Sequence, residues 1–199
     1  MAGSGKTHWS RRIEQKGFKR YSCDEMIEKA LEKELKGSSS KTTLSLASWM
    51  GQPYEKKYPE RSTRYLESEA RIMEKIIQDL EDDKNENIVV ETTGSLIYLD
   101  EKILKKLKDL TKVVYLETPE SVIIEIFNLY MLDLKPVIWE ESFSKKTDET
   151  NKQALQRSFY ELMKFRLKKY EKLAKSSVDY HLLHSKLFTV DDFLAIISD

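Results

Sequence analysis

A chain of 199 residues and 23.4 kDa is long enough for one domain with a proper hydrophobic core. Its 34 basic residues balance its 34 acidic residues, which argues against nucleic acid or an anionic membrane as the main partner. The single cysteine, Cys23, excludes an intramolecular disulfide and fits a reducing compartment, so we expect a cytoplasmic protein. Because no apolar run is long enough, we expect neither a membrane span nor a secretion signal.

The first seven residues carry the most specific pattern in the chain. They read MAGSGKT and match the phosphate-binding motif G-x-x-x-x-G-K-[ST] except for its opening Gly. In such loops backbone N–H groups surround the phosphates, the Lys contacts the β- and γ-phosphates, and the Thr hydroxyl binds Mg²⁺. A Gly/Ser-rich terminus that matches by chance is the alternative, but a helical pattern follows at once. We therefore expect these residues to bind the nucleotide: Gly3, Ser4, Gly5, Lys6 and Thr7.

A loop of this kind normally follows a buried apolar strand in the middle of the sheet. That strand would precede Met1, so we expect the sheet to lack its first strand and two neighbours to lack a ladder partner. A start codon assigned at an internal Met is the interpretation we favour, over a shortened chain or a degenerate protein. Codons for a Val/Ile/Leu-rich run upstream of Met1 would support it.

The other elements follow from periodicity, taken along the chain. Helical spacing predicts helices at about 6–15, 24–35, 44–51, 61–80, 100–110, 121–134, 154–175 and 191–197. Apolar runs predict strands at about 18–23, 87–92, 112–117 and 178–183. The alternation of strands and helices predicts a single α/β domain with a mostly parallel sheet between helical layers. The charged stretch 139–152 has weak periodicity, and we interpret it as a mobile flap.

Several polar residues follow the ends of the predicted strands, where ligands bind to an open parallel sheet. They are Ser22, Asp24, Glu91, Thr92, Thr93, Gly94, Ser95 and Thr118. Glu91 is a candidate ligand for Mg²⁺ or its water shell, and the alternative is a carboxylate that caps the following loop. Asp24 can face the ligand cleft at these strand ends, or it can cap the helix that begins at this residue.

Two arginines lie in helices that otherwise look amphipathic. A planar guanidinium binds carboxylate or phosphate with two hydrogen bonds, so Arg64 and Arg166 could clamp an anionic substrate. Spacing alone does not favour them over Arg61, Arg71 or Arg157, and an ordinary surface arginine is the commoner case.

The order of these segments resembles shikimate kinase and its relatives among the small phosphate-loop kinases, over most of the chain. The matching segments are Gly3–Thr7 at the phosphate loop, Ser22-Cys23-Asp24 at Asp-x-Asp, Arg64-Tyr65-Leu66-Glu67 at Phe-Arg-x-x-Glu from its Arg onward, Val89–Ser95 at the strand and the Gly-Gly-Gly that follows it, Lys135-Pro136-Val137 at Arg-Pro-Leu of the lid, and Arg166, Tyr170 and Ala174 at Arg-x-x-x-Tyr-x-x-x-Ala. Only the phosphate loop is specific by itself, and the others gain weight from their order.

The resemblance implies a three-layer α/β/α phosphate-loop kinase fold, with substrate-binding helices at about 24–80 and a helical lid at about 135–152. It implies ATP and Mg²⁺ as cofactors, a small anionic acceptor with a hydroxyl group, and a monomer or weak dimer. Its implied catalytic residues are Lys6, Asp24 and Lys135. Its implied acceptor-binding residues are Asp24, Arg64, Thr93, Gly94 and Arg166, and its implied metal ligands are Thr7 and Glu91.

The chain also departs from the family's pattern. Ser22 replaces the Asp that helps to hold Mg²⁺, Thr93 and Ser95 replace glycines, and Asn128 stands where the lid commonly has an additional Arg. These departures bear on the identity of the acceptor more than on phosphoryl transfer. The alternatives are a kinase of the same superfamily acting on a nucleoside, nucleotide or other metabolite, and a kinase-like protein that binds a nucleotide without transfer. A nucleic-acid role is weaker, because the basic residues are interspersed with acids.

Overall fold

The computed structural model describes residues 4–36, 45–82 and 86–198, so Gly3 of the predicted phosphate-binding loop lies outside the described residues. The helices are α1 Lys6–Glu14, α2 Cys23–Ala30, α3 Glu32–Lys36, α4 Leu46–Met50, α5 Tyr58–Asp82, α6 Glu101–Leu110, α7 Ile123–Leu132, α8 Asn151–Leu173, α9 Tyr180–Leu183 and α10 Val190–Ser198. The strands are β1 Lys19–Ser22, β2 Ile88–Glu91, β3 Val114–Leu116 and β4 Ser176–Val178. The mixed α/β class is confirmed, and the protein is mainly helical.

The strands form two small parallel sheets rather than one. In the first, β1 pairs with β2 and Ser22 lies opposite Glu91. In the second, β3 pairs with β4 and Leu116 lies opposite Val178. The described residues therefore do not form the single parallel sheet that the sequence predicts, and no ladder joins β2 to β3 among them.

Each sheet lies between two layers of apolar side chains. On one side Val89 and Val114 pack into a cluster with Trp9 of α1 and Phe193 of α10, whose rings are stacked with centroids 5.1 Å apart. On the other side Val90 packs against the larger core, to which α2, α5, α7 and α8 contribute. No helix of the described chain has the length and apolar character needed to cross a membrane.

The segment 135–152 differs from its prediction as a helical lid and mobile flap. Within it the structure contains one 3₁₀ turn, Glu140–Ser142, and no α-helix before α8 begins at Asn151. Ile138 and Trp139 are 2% and 1% exposed, so the start of the segment belongs to the core. The Trp139 N–H donates to the Tyr58 hydroxyl at 2.7 Å. The prediction was wrong because two apolar residues anchor a stretch whose overall composition is polar.

The predicted strand at 178–183 is also wrong over most of its length. β4 ends at Val178, and α9 begins two residues later. The Asp179 carboxylate accepts hydrogen bonds from the backbone N–H groups of His181 at 2.8 Å and Leu182 at 3.1 Å. Such a cap satisfies donors that a helix start leaves free, so it outweighs the strand preference of the apolar residues that follow.

Replacing Trp139 by Ala should lower the free energy of unfolding by about 3–5 kcal/mol, because the indole is fully buried among aromatic rings. Leu187→Ala is the control, since Leu187 is 88% exposed and its truncation should change stability by less than about 0.5 kcal/mol. Urea unfolding monitored by circular dichroism measures both. Equal effects of the two substitutions would contradict the packing described for Trp139.

Candidate functional site

A cavity of about 880 Å³ lies between α1, α2, α5, α7 and α8. Its polar end is formed by the start of α1 and by the turn after β2, and its apolar wall by residues such as Ile126, Phe159 and Met163. The predicted site residues that line it are Gly5, Lys6, Thr7, Asp24, Gly94, Lys135 and Arg166. Residues distant in the sequence therefore share one cavity that is large enough for a small molecule.

The loop before α1 turns at Gly5, whose φ of 82° is rarely adopted by residues with a side chain. The Gly5 carbonyl accepts the first helical hydrogen bond, from the Trp9 N–H at 3.0 Å. A Cβ on Gly5 would also lie 3.4 Å from the Trp9 ring. The turn therefore requires glycine, and it directs the positive end of α1 toward the cavity that Lys6 and Thr7 line.

Glu91, at the end of β2, is the centre of a buried hydrogen-bonding cluster and is 5% exposed. One carboxylate oxygen accepts a hydrogen bond from the Thr7 hydroxyl. The other accepts from the Ser10 hydroxyl at 2.8 Å and from Arg20 Nη2 at 2.5 Å. Burial alone would favour the neutral acid, but the hydrogen bonds from Thr7, Arg20 and Ser10 outweigh it and lower the pKa of Glu91. Glu91 is therefore an ionised carboxylate beside the phosphate-binding loop.

Arg20 was not identified from the sequence, although it completes this cluster. Its side chain is 8% exposed, and it also contacts Glu25 at 3.2 Å. The register of the β1–β2 pair places Arg20 opposite Val89, two residues before Glu91 on the same face of the sheet. A basic residue inside a predicted strand was the available signal, because such a charge needs a partner if the strand is covered.

Asp24 and Lys135 both reach the cavity from its rim. The Tyr65 hydroxyl lies 3.4 Å from an Asp24 carboxylate oxygen and donates toward it. Lys135 is exposed and forms an ion pair at 2.8 Å with Asp133, which is close in sequence and still more open to solvent. An exposed pair of this kind is weak, so the Lys135 ammonium can exchange Asp133 for another anion.

Arg166 differs from these residues because it is buried at 5% exposure while still lining the cavity. Its Nη2 donates to the Ile138 carbonyl at 2.7 Å, and its guanidinium lies 5.4 Å from the centre of the Tyr98 ring. Among the described residues its buried Nε has no hydrogen-bond partner, and a buried donor without a partner is costly.

A second buried carboxylate, Glu69 of α5, supports the turn behind the cavity and was also missed. Glu69 is 1% exposed and accepts hydrogen bonds from the Thr93 hydroxyl and, at 2.5 Å, from the Ser95 hydroxyl. Gly94, which lies between Thr93 and Ser95, lines the cavity, and its carbonyl accepts a hydrogen bond from the Tyr170 hydroxyl at 2.6 Å. The sequence signal for the burial of Glu69 was its spacing. It lies four residues after Tyr65 and four residues before Met73, on the buried face of α5.

The other predicted site residues lie elsewhere. Arg64 is exposed and pairs with Glu34 at 2.8 Å, and it does not line the cavity. Thr93 is buried behind the cavity wall with its hydroxyl on Glu69. Ser4 is buried beside a smaller cavity next to β3, which Lys6 also lines.

The residues around Thr7 suit Mg²⁺ better than a metal that needs a full set of protein ligands. Mg²⁺ keeps several waters and takes one or two protein oxygens together with phosphate oxygens. The Thr7 hydroxyl and the near oxygen of Glu91 already meet, so they fit that requirement. The described residues contain no cluster of three or more His, Cys, Asp or Glu side chains that would hold a metal by themselves.

Comparison of the chain with protein-family models, with curated proteins and with solved structures finds no match.

Glu69 should make the stability of the protein depend on pH between about 4.5 and 7. Burial raises the pKa of Glu69 from 4.5 to about 7, against the hydrogen bonds from Ser95 and Thr93, with Asp24 raising it further and Arg166 lowering it. The folded state then binds the proton more tightly than the unfolded state, so stability is greatest at low pH and falls as the pH rises through this window. As the pH rises through this window, the free energy of unfolding of Glu69→Gln should therefore increase relative to that of the wild type, by about 3 kcal/mol in all.

Glu67→Gln is the matched control, because Glu67 lies on the same helix and is exposed. Urea denaturation at pH 4.5, 6 and 8 measures the differences. If the difference between wild type and Glu69→Gln stays constant with pH, Glu69 titrates normally and the assignment is wrong.

Proposed function

We propose that this protein is an ATP-dependent kinase that transfers the γ-phosphoryl group, with Mg²⁺, to a hydroxyl of a small anionic metabolite. The observation that carries the proposal is the shared cavity, where Lys6 and Thr7 at the start of α1 face Asp24 and the buried Arg166. The fold that we infer is the three-layer phosphate-loop kinase fold, similar to that of shikimate kinase. The proposal rests on the site and on the motif.

The nucleotide end of the site is the turn at Gly5. A glycine with positive φ at a helix start can direct consecutive N–H groups toward an anion, and the helix dipole favours negative charge there. Lys6 adds a point charge beside them, at the position where the β- and γ-phosphates would lie. Stabilisation of developing phosphate charge is the main task of such a site, because phosphoryl transfer needs little other help from the protein.

The metal end of the site is formed by Thr7 and Glu91. When bound there with ATP, Mg²⁺ would neutralise phosphate charge and fix the orientation of the phosphates. Glu91 remains ionised at neutral pH, since its pKa is lowered by the hydrogen bonds that outweigh its burial. The Thr7 hydroxyl would have to turn its lone pairs rather than its proton toward the metal.

The acceptor end of the site combines a carboxylate with a buried cation. Asp24 would accept a hydrogen bond from the acceptor hydroxyl and orient it or take its proton, as a positioned carboxylate does in general-base catalysis. Arg166 lines the same cavity, and its guanidinium would bind an acidic group of the acceptor. Lys135 would move from Asp133 to the transferred phosphate.

A second function is favoured by one specific observation, the ion pair between Arg20 and Glu91 at 2.5 Å. The guanidinium already supplies the positive charge that a metal would bring to this carboxylate. If Arg20 stays there when a nucleotide is bound, the protein binds the nucleotide without transferring its phosphate. Binding and transfer therefore have to be measured separately.

Lys6→Ala should weaken the binding of Mg–ATP by at least tenfold and lower phosphoryl transfer by about 10²–10³-fold, because it removes charge stabilisation from the transition state. Lys16→Ala is the control, since Lys16 pairs with Asp191 on the surface. Calorimetry measures binding, and γ-labelled ATP with a panel of hydroxy acids, nucleosides and nucleotides measures transfer. Full turnover by Lys6→Ala would overturn the proposal, whereas tight binding with no transfer to any acceptor would select the second function.

Arg166→Lys should raise the KM for acidic acceptors by about tenfold or more, with a smaller effect on the KM for ATP, because a lysine cannot reproduce the planar donor group. Arg157→Lys is the control, since Arg157 pairs with Glu149 outside the cavity. Steady-state kinetics with an acidic acceptor and with its neutral amide separates the two effects. An equal loss for both acceptors would show that Arg166 does not bind the acidic group.

A further inference from the structure

The apolar wall of the large cavity is formed mainly by α7 and α8. From α8 the cavity is lined by Phe159, Met163 and Arg166, which are spaced by four and three residues and therefore lie on one face of the helix. From α7 it is lined by Ile126 and Tyr130, which are also four residues apart. The Tyr130 ring stacks on the Phe159 ring with centroids 5.6 Å apart. The two helices thus present one continuous apolar surface that reaches a guanidinium.

Three leucines extend this wall to the rim of the cavity. Leu129 and Leu132 of α7, and Leu134 just after the helix, line the cavity and are exposed. Single exposed apolar residues are ordinary, but neighbouring ones at the rim of one cavity are typical of a ligand-binding site. Water covers these three rim leucines in the free protein, and a ligand with an apolar part would displace that water favourably.

The charge at the inner end of the wall defines the other part of such a ligand. Of the residues that α7 and α8 contribute to the cavity, both helices being described in full, Arg166 alone is charged. Phe159 lies seven residues before it, which is about 10 Å along the helix. An acid bound at Arg166 would therefore place the rest of its structure beside Met163 and Phe159. A polyhydroxylated acid would leave hydroxyl groups against these side chains without hydrogen-bond partners, which is costly.

We propose that the acceptor is amphipathic: a hydroxy acid whose carboxylate binds Arg166 and whose hydrocarbon part covers the apolar wall and the three rim leucines. This inference rests on the proposed function, and it narrows the acceptor from small anionic metabolites in general to hydroxy acids with an apolar chain. On transfer the hydroxyl oxygen would bond to the γ-phosphorus, the bond from that phosphorus to ADP would break, and the hydroxyl proton would pass to Asp24.

The base of ATP is the other group that an apolar wall suits. The position of Arg166 favours the acid, because a neutral base brings no negative charge to a buried guanidinium. The two occupants differ in the affinity that the rim leucines control, so the binding of the acid and the binding of Mg–ATP are measured separately.

Calorimetry without nucleotide tests the proposal with 3-hydroxyoctanoate and 3-hydroxybutyrate, which share the carboxylate and the hydroxyl and differ by four methylenes. Burial of a methylene strengthens binding about fourfold, so the protein should bind the longer acid about a hundredfold more tightly. The double variant Leu129→Ser/Leu132→Ser should bind 3-hydroxyoctanoate about tenfold more weakly and leave the affinity for 3-hydroxybutyrate unchanged. Its affinity for Mg–ATP should also be unchanged. Both leucines are exposed, so these substitutions should not impair folding.

Ile124→Ser is the matched control. Ile124 lies on the same helix and is 59% exposed against 56% for Leu129, but it lines a separate pocket. The control should bind both acids as the wild type does. An equal loss in the control and in the leucine variant would show that the acid adsorbs to exposed apolar surface in general, and would overturn the proposal.

Two further results would also overturn it. One is equal affinity of the wild type for the two acids. The other is a leucine variant that loses affinity for Mg–ATP and keeps its affinity for 3-hydroxyoctanoate, which would show that the wall binds the base.

Transfer from γ-labelled ATP separates this inference from the kinase proposal. Equal kcat/KM for the two acids would refute the amphipathic acceptor while the kinase proposal stands. The expected binding of the longer acid without transfer to any acceptor would refute the kinase proposal, and with it the role of the acid as acceptor, while the amphipathic ligand of the cavity stands.

Discussion

The buried carboxylate of Glu91 is the contact on which the rest of this site depends. It joins three elements, because Thr7 and Ser10 come from α1, Arg20 from β1 and Glu91 from the end of β2. Removing either partner of the Arg20–Glu91 pair would leave a charge buried without compensation, which costs far more than the pair itself contributes. The pair therefore fixes α1 over the sheet, and with it the direction of the helix start toward the cavity.

The two buried carboxylates of the site have opposite chemistry because their partners differ. Glu91 has a guanidinium in contact with it, and its pKa is lowered although burial opposes this. Glu69 is surrounded by hydroxyl groups, and burial raises its pKa to about 7. One carboxylate is thus a permanent charge beside the start of α1, and the other is a structural acceptor that holds the turn through Thr93 and Ser95.

Local patterns in the sequence predicted the helices and strands well, and the contacts between them less well. The helix after the loop follows from the helical spacing of Trp9 and Ile13, and the β2 strand follows from its run of apolar residues. The burial of Trp139 could not be predicted, since it depends on aromatic partners from α7 and α8 that are close only in the fold. Arg20 and Glu69 were missed although their positions carried a signal, because the partners that make a buried charge favourable are close only in the fold. The short list of strand ends did include Glu91, Gly94 and Ser95, because topology alone places them at one edge.

Arg20 decides whether the same cluster can serve both binding and catalysis. Glu91 cannot neutralise a guanidinium and coordinate a divalent cation equally well, so a metal at Thr7 competes with Arg20 for this carboxylate. Arg20 already contacts Glu25 at 3.2 Å, and Glu25 lies at the exposed rim of the cavity. A small rotation toward Glu25 would therefore release Glu91 without leaving the guanidinium unpaired. Such a shift needs a ligand that binds the released state more tightly, and the proposed nucleotide with its metal would have to supply that differential affinity.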